Sequence, residues 1–131
     1  MVHAGLCFPA VWFKLAQTDV IMIHDTIGKI QAQIQHAGAL KEENKQELLG
    51  LLNTLKAEVG ELSKTHGEEA QSIAGFTQVS AHEATREERD PRLLKHALDG
   101  LSSSVSGLEK SHPKLVEIVN SFCTTLSNLG I

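Results

Sequence analysis

The residues of this 131-residue chain best equipped for chemistry are its seven histidines and sixteen carboxylates. Imidazoles bind divalent transition metals and exchange protons near neutral pH, so their spacing decides what is open to them. His82-Glu83 runs on into Ala84-Thr85-Arg86, and the His-Glu-x-x-His zinc motif is therefore absent. No two histidines stand three or four residues apart, so any pair must be assembled across helices. His66 and His112 are the candidates for such a pair, each following a Lys-(Ser/Thr) step at the end of a helical stretch. A histidine at that position more ordinarily caps a helix and complements its dipole. The doublets Glu42-Glu43, Glu68-Glu69 and Glu87-Glu88 point to different sides of a helix and read as solvated faces; a di-metal carboxylate bundle would want Glu-x-x-His on its helices. No catalytic, cofactor-binding or metal residue is assigned, no cofactor is expected, and the chain reads as non-enzymatic.

Other chemistries lack their motifs. There is no Gly-x-Gly-x-x-Gly, no Gly-Lys-(Ser/Thr) loop to cradle a phosphate and no Gly-x-Ser-x-Gly elbow. Leu101-Ser102-Ser103-Ser104-Val105 is instead a serine run in an apolar-striped helix, a face for close helix approach or a solvated one. Cys7 and Cys123 lie at opposite ends with no Cys-x-x-Cys spacing, which suits a reducing compartment, the cytoplasm. Cys123, between Phe122 and Leu126, reads as a small hydrophobe. A net charge of −4 argues against nucleic acid as a partner, because phosphate binding needs a basic face.

Three of the five aromatics, Phe8, Trp12 and Phe13, fall in the first 13 residues. Lys14 follows this apolar run where a secretory signal would place its cation first, and the run is shorter than the roughly 20 residues of a bilayer span. Residues 1–19 are accordingly read as a leader, with Met22 an alternative start. Membrane contact through residues 6–13 is a secondary reading.

The elements that must position these side chains are helical. Leucine, alanine and glutamate dominate, and tyrosine is absent. Ile23, Ile27, Ile30 and Ile34 step by four, three and four, predicting a first helix over 20–37 with Gly38 as its C-cap. A second helix, opening at an Asn44/Glu47 capping box or a few residues earlier, carries Leu48, Leu52, Leu55, Val59 and Leu62. Gly67 is expected to end it in the left-handed region. A third, over 68–87, takes Ala70, Ile73, Ala74, Phe76, Thr77 and Val79 as its apolar face and frays after Ala81. Asp90-Pro91 is a cap followed by proline at the first helical position, opening a fourth helix striped by Leu94, Leu98, Leu101, Val105 and Leu108. Ser111-His112-Pro113 opens a fifth, with Leu115, Val119, Phe122, Leu126 and Leu129. Short connections make antiparallel neighbours, and the expected architecture is an all-α, up-and-down bundle of about five helices over residues 20–131. Stripes of two to three heptads suit bundle helices better than one long coiled coil. Glu88 with Arg92 and Glu61 with Lys64 are expected surface pairs. The mixed-charge stretch Ser80 to Arg92 is the best candidate for a recognition segment.

Residues Leu52 to His66 align without gaps on Leu98 to His112, an offset of 46 that also carries Leu48 onto Leu94, Ile73 onto Val119 and Phe76 onto Phe122. Both copies read Leu-x-x-Leu-x-x-x-Val-x-x-Leu-x-Lys-(Ser/Thr)-His. Heptads alone explain the leucines but not the shared Lys-(Ser/Thr)-His, so a duplicated helical hairpin is inferred.

The run Leu108-Glu109-Lys110-Ser111-His112-Pro113-Lys114-Leu115, with the tail Leu126-Ser127-Asn128-Leu129-Gly130-Ile131, resembles a group of small bacterial helical proteins of unknown function. They end in a similar Ser-His-Pro-x-Leu helix and Leu-Gly-Ile tail. The resemblance implies a bacterial, cytoplasmic, helical protein and no assigned activity. The functional expectation is a helical protein–protein interaction or scaffold domain binding itself, as a homo-oligomer, or a partner protein. A membrane or regulatory adaptor anchored by the N-terminal segment and a metal-binding bundle are the alternatives.

Overall fold

The computed structural model describes residues 21–129, and these form five helices. The first, α1, covers residues 21–35; α2 is Glu42–Ser63, α3 Gly67–Thr85, α4 Pro91–Ser104 and α5 Pro113–Leu129. The expectations for the leader, including Cys7, Phe8, Trp12 and Phe13, and for the Gly130-Ile131 tail lie outside the described residues.

Each long aliphatic stripe becomes core. Ile23, Ile27, Ile30 and Ile34 of α1, Leu48, Leu52, Leu55, Val59 and Leu62 of α2, and Leu115, Val119, Phe122 and Leu126 of α5 are all essentially inaccessible to solvent. At three- and four-residue spacing such side chains lie along one side of a helix, and burying each contributes about 1.5–3 kcal/mol before chain entropy is counted. Helices α2, α3, α4 and α5 alternate in direction, with α2 beside α3 and α5, and α4 beside α3 and α5. Helices α2 and α4 lie across the diagonal, while α3 and α5 meet through the centre. Helix α1 lies on α3 and α2: Met22, Ile23 and Thr26 face Gln71, Ala74, Gly75 and Gln78, and Gln33 Nε2 donates to Thr85 Oγ1 at 3.1 Å. Gly60 of α2 leaves room for the His24 ring, which comes within 3.1 Å of where a β-carbon would stand.

Several boundary expectations need correction. Gly107 alone among the described residues has a positive φ, at 92°, so neither Gly38 nor Gly67 supplies a left-handed ending. Gly67 instead opens α3. The end of α2 is held by the backbone N–H groups of Thr65 and His66, both donating to the Leu62 carbonyl. Helix α2 begins at Glu42, ahead of Asn44, and Glu47 accepts from Thr125 Oγ1 of α5 at 3.2 Å instead of closing a capping box. Asp90 behaves as expected, accepting from the Arg92 backbone N–H at 2.9 Å with Pro91 at the start of α4.

The larger correction concerns α3. Its buried positions are Ala70, Ile73, Ala74, Thr77, Ser80, Ala81 and Ala84, so the helix stays packed through the stretch expected to fray. Phe76 and Val79 lie outside that face, at 40% and 48% exposure. Helix α3 touches all four other helices, and small side chains let their backbones come close. Gly100 of α4 serves the same end: a β-carbon there would stand 2.4 Å from the Phe76 ring, so the glycine is where that ring rests.

Candidate functional site

The two hairpins that share the Lys-(Ser/Thr)-His repeat, α2 with α3 and α4 with α5, place both of their turns at the same end of the bundle. The turns are built alike. His66 N–H donates to the Leu62 carbonyl at 2.8 Å and His112 N–H to the Leu108 carbonyl at 2.7 Å. The His66 carbonyl then accepts from Ala70 N–H and the His112 carbonyl from Val116 N–H, both four residues on. The copies differ just before this. Gly107, at positive φ, ends α4 at Ser104, whereas α2 continues to Ser63.

The two equivalent histidines meet. Their ring centroids are 6.0 Å apart, with planes at 82°. Each Nδ1 faces the hydroxyl of the preceding residue: Thr65 Oγ1 at 2.7 Å from His66 and Ser111 Oγ at 3.0 Å from His112. Thr65 Oγ1 also lies 3.4 Å from the Leu62 carbonyl, and whether the hydroxyl or the ring nitrogen donates across the 2.7 Å contact follows the histidine tautomer. The pair that sequence spacing could place only across helices is thus assembled. The Glu-x-x-His spacing, expected to be absent, does occur at this turn as Glu109-Lys110-Ser111-His112. Glu109 does not act as a ligand, however. Its Oε2 accepts from Gly107 N–H at 2.8 Å and closes the turn. Among the described residues, no three His, Cys, Asp or Glu side chains gather as a metal site.

A second feature runs along α3 and α4. Val79 follows Phe76 by three residues and shares its side of α3, and Leu93 precedes Gly100 by seven and shares its side of α4. The Phe76 ring rests on Gly100, and helical spacing therefore sets Phe76, Val79 and Leu93, the last at 44% exposure, along the α3–α4 side as a row of exposed apolar residues, Leu93 about 10 Å of helix from Gly100. Beside Phe76 the row opens into a shallow groove with Glu68, Glu69, Ser72, Ser103 and Ser104. Within the serine run, Ser102 reaches the Cys123 thiol of α5, Ser103 and Ser104 line the groove beside α3, and Ser104 Oγ donates back to the Leu101 carbonyl.

The α3–α4 connection and the first turn of α4 carry all three arginines of the chain, Arg86, Arg89 and Arg92, beside Glu83, Glu87, Glu88 and Asp90. Arg86 Nη1 lies 2.7 Å from Glu83 Oε1, a bond that raises the guanidinium pKa further. The Arg89 guanidinium donates to the Leu129 carbonyl, tying the connection to the end of α5. Arg92 pairs with Asp90 at 3.5 Å, not with Glu88 as expected, whereas Glu61–Lys64 forms as expected at 3.1 Å. The segment Ser80 to Arg92 is therefore the last turns of α3 followed by a braced connection.

Cys123 is half-buried against α4, and burial pushes its thiol up to about 11. A thiol held protonated at neutral pH is a poor nucleophile. No described helix is long and apolar enough to cross a membrane. No curated protein and no solved structure matches the chain. A family profile does match, over residues 23–131, which takes in all five helices from Ile23 onward, and the chain belongs to that family, the domain of unknown function DUF4404.

Proposed function

We propose that the chain is a non-enzymatic helical interaction domain that pairs with a second copy of itself through the α3–α4 face. The observation carrying this reading is the row Phe76, Val79 and Leu93, three large apolar side chains left exposed where the other large aliphatic residues of α2 to α5 are buried or packed partly buried against the core. Apolar rows rimmed by charge are a common form of protein interface. The ends of the row favour self-pairing. In an antiparallel two-fold arrangement Glu68 and Glu69 of one copy come within reach of Arg92 of the other, at an end that also carries Glu83, Glu87, Glu88 and Asp90. Arg92, with its side chain 86% exposed, is the arginine best placed to reach across. The cysteines, far apart in sequence, and the resemblance of the C-terminal third support a setting in the bacterial cytoplasm.

Light scattering on the full chain over a concentration series tests the reading. The expected result is twice the chain mass at high concentration, falling to the chain mass in Leu93→Glu, with helical content by circular dichroism unchanged because Leu93 lies outside the buried core. A single-chain mass at every concentration, or a dimer that Leu93→Glu and Val79→Glu both leave intact, contradicts it.

A further inference from the structure

We propose that His66 and His112 together form a binding site for a divalent transition-metal ion of the zinc, copper or nickel class, held by one Nε2 from each hairpin turn with solvent completing the coordination. The first support is distance. With metal–nitrogen bonds of about 2.0–2.1 Å and roughly 1.1 Å from nitrogen to ring centre, two imidazoles on one tetrahedral or more open ion have centroids about 5–6.4 Å apart. The observed 6.0 Å lies toward the open end of that span, so a tetrahedral ion would draw the two rings together by about 1 Å. The 82° between the ring planes is no obstacle, because each ring can turn about its metal–nitrogen bond.

The second support is the repeated hydroxyl. A histidine ligand commonly donates its other ring N–H to a neighbouring acceptor, which fixes the tautomer and turns the lone pair of the remaining nitrogen outward. Thr65 Oγ1, 2.7 Å from His66 Nδ1, is placed to accept that bond in the Nδ1–H tautomer. Ser111 stands in the same place for His112. The duplication thus repeats a donor and the group that orients it, and the antiparallel bundle brings the two copies together. Imidazole suits borderline divalent ions, whereas calcium and magnesium require oxygen ligands that this pair does not provide.

Calorimetric titration of the full chain with Zn2+ decides the matter, read beside histidine ring 15N shifts. The expected result is one ion per chain, with the His66 and His112 Nε2 resonances moving, and affinity falling at least tenfold in His66→Gln and in His112→Gln but not in His82→Gln. Thr65→Val is expected to weaken binding several-fold while leaving the melting temperature of the metal-free chain close to that of the parent. Binding unchanged in both His66→Gln and His112→Gln, or ring shifts confined to other histidines, overturns the proposal, as does the absence of any saturable binding.

Discussion

Two residues show how local chemistry fixes this fold, and each makes a measurable difference. The Asp90 carboxylate accepts the Arg92 backbone N–H, which favours its charged form and holds its pKa below the ordinary 3.8. A group depressed in the folded state contributes stability that is present above its unfolded value and is lost as pH falls through the folded value. The melting temperature is therefore expected to drop on acidification below about pH 3.8. In Asp90→Asn, which keeps an acceptor but not a titrating one, that component should vanish. Parallel pH profiles for the two proteins would contradict this assignment. Ser80 presents the opposite case. Its Oγ is the one buried side-chain polar atom without a hydrogen-bond partner among the described residues. An unpaired buried hydroxyl destabilises, so Ser80→Ala is expected to raise the unfolding free energy by about 1 kcal/mol in urea titrations. A lower midpoint would show that the hydroxyl is satisfied.

At the scale of elements, the helices easiest to read were those whose buried positions are large. Isoleucines in α1 and leucines in α2, α4 and α5 announce their faces because no other arrangement of three- and four-residue steps buries them together. Helix α3 conceals its face for a physical reason. Being touched by every other helix, it buries alanine, threonine and serine, which carry little hydrophobic signal, while Phe76 and Val79 advertise the wrong side. The histidine pair was legible in part: the repeat identified equivalent turns, and antiparallel packing put them at one end. Their 6.0 Å separation was not legible, since it depends on how the hairpins pack. Glycines misled where they were taken as helix endings. Gly50 illustrates a glycine with no structural demand, sitting exposed inside α2 with open space where a β-carbon would go. Gly50→Ala is expected to stabilise the chain by about 0.5–1 kcal/mol through helix propensity alone. A loss of stability in thermal melts would place an unseen neighbour there.

For the whole molecule, the repeat of Leu52 to His66 at Leu98 to His112 bears on both surfaces that carry a functional reading. It brings two like turns together at one end, and it breaks its own symmetry along the side. Phe122 is fully buried in α5, whereas its counterpart Phe76 lies on the surface against Gly100, and Gly100 itself corresponds to Thr54. Had the copies stayed equivalent, both phenylalanines would lie in the core and the α3–α4 row would lose its largest member. The departure from symmetry is what the self-pairing reading explains. Isotope-filtered NOE spectroscopy on a sample mixing labelled and unlabelled full-length chains tests it most directly. The account predicts intermolecular cross-peaks from the methyl groups of Val79 and Leu93 and from the Phe76 ring, and their loss in Leu93→Glu. Intermolecular contacts arising only from other faces, or none in a sample at the highest attainable concentration, would contradict it.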